Sequence, residues 1–164
     1  MRRKICYPPV INDALVGLFD GAEKDGMCGA GMVIHLDLNH SFWLRMDVGR
    51  GTNTIFKLLA LWGLLYFANK RHISRMYVYG DLKVIADWDL GIHTIHSIEL
   101  LHWLGRVKGP FCSFYTLHFH HVYREDNSLA DGLSKQAIGL GGGKMFWEEK
   151  LEGCTMDLGI LSFH

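Results

Sequence analysis

Residues 15–48 read LVGLFDGAEKDGMCGAGMVIHLDLNHSFWLRMDV, and the spacing of apolar and turn residues in this stretch decides the fold. It holds three strand-like runs: 15–20 closed by Gly21, 29–37 closed by Asn39, and 41–48 closed by Gly49 and Gly51. The connection at 37–40 is so short that it implies an antiparallel hairpin, and the three runs together imply a meander.

Downstream the period changes. Thr52 and Asn53 are N-cap residues for a helix over 55–68. That helix is apolar on nearly every side, which predicts packing between layers rather than on a surface. Lys70, Arg71, His72 and Arg75 cluster at its end, where positive charge suits the helix dipole; phosphate contact is the alternative role. Residues 76–79 read as a fourth strand ended by Gly80-Asp81, followed by helical regions over 82–90 and 94–106 and the breaker Gly109-Pro110. Residues 114–123 read as a fifth strand and 127–138 as a last helix before Gly139. The order βββ-α-β-α-α-β-α predicts an α/β fold: a mixed five-stranded sheet, antiparallel meander plus parallel strands, flanked by helices. Residues 1–13, with Pro8-Pro9, form an arm, and 14–138 the domain. Residues 139–164 form a Gly-rich joint and a tail, read as a short helix or loosely packed chain.

The chain has 164 residues, a natural size for one core, and a formal net charge of zero, so any basic surface must be local. Cys6, Cys28, Cys112 and Cys154 form no CxxC pair and fit no zinc spacing; they read as reduced thiols of an intracellular, nuclear or cytoplasmic protein. The start, MRRKICYPPV, has no apolar core behind its basic residues and so is no secretory signal. The longest apolar stretch, 55–68, carries Lys57 and is too short to span a bilayer, so no membrane partner is expected. His118 and His120 share a strand face and could bind a transition metal, but without a third ligand at sensible spacing they read as strand packing. Trp43, Trp62, Trp88, Trp103 and Trp147 read mostly as core or interface, with Trp88, in the helical region after Asp81, the candidate exception.

If the helix between the meander and strand four is a crossover, strands one and four are parallel neighbours. Asp20 and Asp81 then emerge together at the carboxyl edge of the sheet, where open α/β sheets bind ligands. Two close carboxylates repel and call for a cation, typically Mg²⁺. Each aspartate alone is more often a plain turn residue or a helix cap, so the pair, together with Asp131, carries the reading.

These segments resemble a known family. Phe19-Asp20-Gly21-Ala22 with Gly29-Ala30-Gly31 is similar to the first-strand signature of type 1 ribonuclease H, and more closely to its plant reverse-transcriptase-like branch. Gly51-Thr52-Asn53-Thr54 before Leu58-Leu59-Ala60-Leu61 resembles the branch's first-helix motif. Gly80-Asp81-Leu82-Lys83-Val84-Ile85 resembles its fourth-strand motif, with Leu82 where serine is common. The run from His121 through Arg124, Asn127 and Asp131 to Ser134 resembles its last motif. The likeness spans 15–137 and implies a monomeric nuclease that cuts RNA/DNA hybrids by two-metal phosphodiester hydrolysis. It implies that Asp20, Asp81 and Asp131 hold Mg²⁺ or Mn²⁺, that Thr52 and Asn53 meet the hybrid's minor groove, and that Arg124 supports the phosphate. The connection before the last helix leaves no room for the mobile histidine loop of some members. The choice of RNA implies contacts to the 2′-hydroxyl.

One position departs from the pattern. The family's second carboxylate is a glutamate on the first helix, and here Phe56-Lys57-Leu58 places Lys57 there; no Asp or Glu occurs between Val48 and Gly80. An ammonium repels a cation, so weakened or lost catalysis is expected. Lys57 would otherwise substitute for part of the missing cation's charge, pairing with Asp20 or with a scissile phosphate, or lie along the helix surface outside the site. The alternative function is therefore a non-catalytic module of the same fold that binds hybrid or RNA.

Overall fold

The computed structural model describes residues 15–50, 53–81 and 116–162. The arm at 1–13, the helices expected over 82–90 and 94–106, Thr52, Cys6, Cys112, Trp88 and Trp103 lie outside them.

The meander is present as β1 (Leu15–Lys24), β2 (Met27–His35) and β3 (His40–Arg50), antiparallel in succession. The first hairpin closes later than Gly21 suggests. Asp25 and Gly26 both take positive φ, 54° and 82°, the two-residue turn whose twist matches its strands. Gly21 serves packing instead: a Cβ there would run into the ring of Phe56. Helix α1 (Asn53–Lys70) crosses over to β4 (Arg75–Gly80), and β5 (Thr116–His121) leads through a single 3-10 turn (Arg124–Asp126) into α2 (Ser128–Ala137). Strand β4 is parallel to β1 and to β5, as a crossover requires.

Side-chain alternation assigns the two faces. Phe19, Met32, Leu44, Met76 and Val78 pack with Leu61, Leu64 and Leu65 of α1. Val16, Leu18, Val33 and Tyr79 pack with Ala130 and Leu133 of α2. The sheet is thus sandwiched between the two helices, and α1 is buried on nearly every side from Phe56 to Ala68, as its unbroken apolarity predicts. The described residues include no helix long and apolar enough to cross a membrane.

The tail corrects the sequence reading. It is neither a helix nor loose chain. Residues 144–162 fold as β6 (Lys144–Leu151) and β7 (Cys154–Ser162), turning at Glu152 and Gly153, both with positive φ. Strand β6 pairs with β3, so the expected five strands are extended to seven, in the order β5-β4-β1-β2-β3-β6-β7. The Gly-rich joint is held as well: the Gly141 N–H donates to Asp47 Oδ2 at 3.0 Å.

The basic cluster after α1 gains a structural role from this hairpin. The Arg71 guanidinium lies 4.5 Å from the ring centre of Trp147 and 4.9 Å from that of Phe42, stacking its charge on rings. Positive φ at His72, with Ile73 N–H donating to Ala68 O and His72 N–H to Asn69 O, closes the helix in a Schellman motif. Replacing Trp147 by alanine removes a large side chain that joins the tail to α1 and is expected to cost about 2 kcal/mol or more in denaturant unfolding. An unchanged midpoint would show that the tail adds nothing to the fold.

Candidate functional site

The β1–β4 register builds the site. Leu15 faces Met76 and Leu18 faces Tyr79, so the same offset carried two residues further sets Asp20 beside Asp81. Both follow the alternation of the face that α2 covers. Strand β5 reaches the same edge, with His121 opposite Gly80 and Val122 N–H donating to Gly80 O at 3.3 Å. From the other side α2 delivers Asp131. The result is an open cleft of about 230 Å³ lined by Asp20, Gly21, Lys57, Asp81, His121, Val122, Arg124, Asn127 and Asp131. Asp20, Asp81, Asp131, Lys57 and Arg124, expected from sequence, therefore meet at one place. Asn53 opens α1, but its side chain, like Thr52, lies outside the described residues.

Lys57 does not lie away from the site. Its Nζ is 3.1 Å from Asp81 Oδ2, in a half-exposed ion pair. Of the partners weighed from sequence, the contact goes to Asp81 rather than Asp20. On α2, Lys135 Nζ stands 3.0 Å from Asp131 Oδ2 one turn away, an exposed pair worth little energy.

Asp20 is partly buried in the cleft. Burial pushes its carboxyl above the ordinary range and Asp131 adds to the rise, against the Gly21 N–H at 2.8 Å and the charges of Lys57 and Arg124. A carboxyl whose pKa is raised by folding stabilises the fold where it is protonated; that contribution is lost as pH rises through the folded value. Ionised Asp20 therefore costs stability at neutral pH. Asp20→Asn is expected to raise Tm at pH 7, with the gain vanishing below the ordinary carboxylate range; a lower Tm at pH 7 would contradict this burial effect.

Asn127 also lines the cleft. From sequence it was legible as the start of the last helix and as part of the last motif, with no role of its own. In the structure it is 6% exposed and its side chain makes no capping hydrogen bond. Instead Nδ2 donates to the Phe19 carbonyl at 3.0 Å, pinning the end of α2 to the strand that carries Asp20, and Oδ1 is buried with no hydrogen-bond partner among the described residues. Asn127→Ala is expected to cost about 1–3 kcal/mol by leaving that carbonyl unpaired, read as a shift in urea midpoint.

Two exposed histidines of β5 stack on tyrosines of β4. His118 stacks on Tyr77, with ring centres 5.3 Å apart, and His120 on Tyr79 at 5.1 Å.

The carboxylates do not fit a pair of cations. The first-helix position holds an ammonium, Asp81 already pairs with it, and no group of three or more acidic, His or Cys side chains among the described residues is placed to hold a metal ion.

A mixed sheet flanked by two helices is the fold of solved ribonuclease H1 structures. Ribonuclease H1 of the archaeon Halobacterium salinarum superposes with a TM-score of 0.64 at 21% identity, over 76% of this chain and 96% of that one. LC11-RNase H1, solved in complex with an RNA/DNA hybrid, gives 0.58 at 23% identity over 76% and 96%. Residues 18–137 match the reverse transcriptase-like family, and the chain belongs to that family, as a ribonuclease H-like domain of the retroelement type. An Arabidopsis thaliana protein named for ribonuclease H is 29% identical over 126 residues, 74% of this chain and 20% of that protein, so the chain spans about a fifth of that relative's length.

Proposed function

We propose that the cleft holds an RNA/DNA hybrid in the ribonuclease H manner and hydrolyses it weakly, because Lys57 stands where the family keeps a carboxylate. The observation that carries this reading is the 3.1 Å contact between Lys57 and Asp81 inside the cleft. It neutralises one cation ligand while leaving Asp20, Asp131 and Arg124 gathered around the same space. The name of the Arabidopsis relative and the hybrid bound to LC11-RNase H1 support the substrate class.

In this reading Arg124, at the cleft, meets a backbone phosphate as a charge-assisted donor. Asn53, the first residue of α1, and Thr52 contact the RNA strand in this reading, where the 2′-hydroxyl distinguishes RNA from DNA. Mg²⁺ or Mn²⁺ is the cation of the family's chemistry, and Asp20 and Asp131 are the carboxylates that the Lys57–Asp81 ion pair leaves to hold it. An ammonium in place of a carboxylate also makes the cleft less repulsive to phosphate. The same ion pair supports a second reading, in which the cleft binds hybrid and does not cut.

The test is cleavage of an end-labelled RNA/DNA hybrid with Mg²⁺ or Mn²⁺, beside hybrid binding at low salt, where phosphate-driven affinity is strongest. Slow cleavage abolished by Asp20→Asn supports the first reading. Binding without cleavage supports the second. Neither binding nor cleavage would overturn both.

A further inference from the structure

We propose a second activity for the cleft: cleavage of single-stranded RNA without a cation, by attack of the RNA's own 2′-hydroxyl, with His121 moving the proton and Lys57 and Arg124 holding the charge on the phosphate. It uses the cleft described above but does not rest on the hybrid reading.

Charge balance is the first support. Among the described residues three carboxylates line the cleft, Asp20, Asp81 and Asp131, and each is answered by a cation. Lys57 Nζ is 3.1 Å from Asp81 Oδ2, Lys135 Nζ is 3.0 Å from Asp131 Oδ2, and the charges of Lys57 and Arg124 both act on Asp20. A phosphodiester therefore enters a cleft whose charges already offset one another, and no divalent ion is needed to relieve the carboxylates. Lys57 gives one N–H to Asp81, and an ammonium has donors to spare for a phosphate oxygen. Arg124 is exposed at the same cleft, with a planar fork that suits phosphate.

His121 supplies the second support. It is the last residue of β5, lies opposite Gly80 and lines the cleft. His118 and His120 are stacked on Tyr77 and Tyr79. His121 instead meets the Tyr123 ring at close to a right angle, with centres 5.3 Å apart, and its ring nitrogens have no hydrogen-bond partner among the described residues. Imidazole is the side chain best suited to take up and return a proton near neutral pH. Two-metal hydrolysis gives His121 no part.

The reaction balances within the substrate and one side chain. The 2′-oxygen lone pair forms a bond to phosphorus, and the bond from phosphorus to the 5′-oxygen breaks, its electron pair leaving on that oxygen. The 2′-hydroxyl proton passes to His121, and the imidazolium returns it to the departing 5′-oxygen. The products are a 2′,3′-cyclic phosphate and a 5′-hydroxyl. Lys57 and Arg124 donate to the non-bridging oxygens, where charge develops. The substrate is unpaired RNA, because the attacking and leaving oxygens must lie in line across phosphorus. An unpaired strand is free to take that arrangement, whereas paired RNA is held in the A-form.

The test is incubation of end-labelled single-stranded RNA with the full chain in EDTA, with the fragment ends resolved. Fragments ending in 2′,3′-cyclic phosphate are expected from the unmodified chain and from the control His118→Ala, on the same strand but outside the cleft. His121→Ala should lower the rate by at least about a hundredfold and Lys57→Met by about as much, both with unchanged circular dichroism. A DNA strand carrying a single ribonucleotide should be cut only on the 3′ side of that nucleotide. Lys57→Glu should suppress this reaction while raising Mg²⁺-dependent hybrid hydrolysis, which separates the two activities. No cleavage in EDTA, fragments ending in a 3′-hydroxyl, or full activity in His121→Ala would each overturn the inference; hybrid cleavage that persists with Mg²⁺ would then leave the hybrid reading standing.

Discussion

Lys57→Glu is expected to raise hybrid cleavage with Mg²⁺ by at least about a thousandfold, because a bound cation supplies several kcal/mol of barrier lowering and each 1.4 kcal/mol is about tenfold. The structure shows why one residue carries so much. Lys57 is in the cleft, 3.1 Å from Asp81, and Asp20 and Gly21 line the same cleft. Exchanging ammonium for carboxylate frees Asp81 and adds a ligand in one step. Hybrid binding should move the other way: the unmodified chain should bind similarly with chelator or with Mg²⁺, whereas Lys57→Glu should need the cation to offset added negative charge. Lys57→Met separates these effects, since it removes the ammonium without supplying a ligand and should stay inactive. If Lys57→Glu leaves cleavage unchanged while the unmodified chain cuts well, the site works without that carboxylate. If neither cuts but both bind, the lesion lies elsewhere in the cleft.

Gly31→Val is expected to destabilise the chain by about 3 kcal/mol, the upper part of the overpacking range, and to abolish any activity of the site. Helix α2 lies directly on β2 at this point: a Cβ on Gly31 would strike the Ala130 carbonyl and the Ser134 N–H, both backbone atoms that no rotamer change can move aside. Gly29 meets the Ser134 carbonyl in the same way. The helix must lift or slide, and Asp131 and Asn127 move with it. Urea unfolding and hybrid binding check the prediction together. Full stability with lost binding would mean that α2 shifts at little cost; no change in either would show that the close approach is not needed.

Much of this was legible in the residues. The meander, the crossover and the parallel β4–β5 pair follow from apolar period and turn chemistry, which are local signals. Those signals also place Asp81 just past β4 and Asp20 on its parallel neighbour, although Asp20 lies inside β1 and not at its end, and the likeness of the last motif placed Asp131 and Arg124 beside them. Where local signals competed, the reading slipped. Gly21 reads as a strand closer, yet the hairpin turns at Asp25-Gly26 and Gly21 is small because Phe56 packs on it. The tail was misread although Lys144 to Leu151 and Cys154 to Ser162 flank a Glu-Gly turn, since Met145-Phe146-Trp147 breaks strict alternation. Its apolar side chains are explained only by neighbours distant in sequence, such as Leu44 and Phe42 of β3 and Arg71 beyond α1.

The sequence by itself thus determined the layers, the strand directions at the site and the identity of its charged residues, because secondary structure and binary pattern are written residue by residue. Tertiary structure alone decided which carboxylate Lys57 engages, that Asn127 ties α2 to β1 rather than capping its own helix, and that the tail extends the sheet to an apolar edge. Each of these is a contact between segments far apart in the chain, whose partner is chosen by packing geometry and not by local propensity.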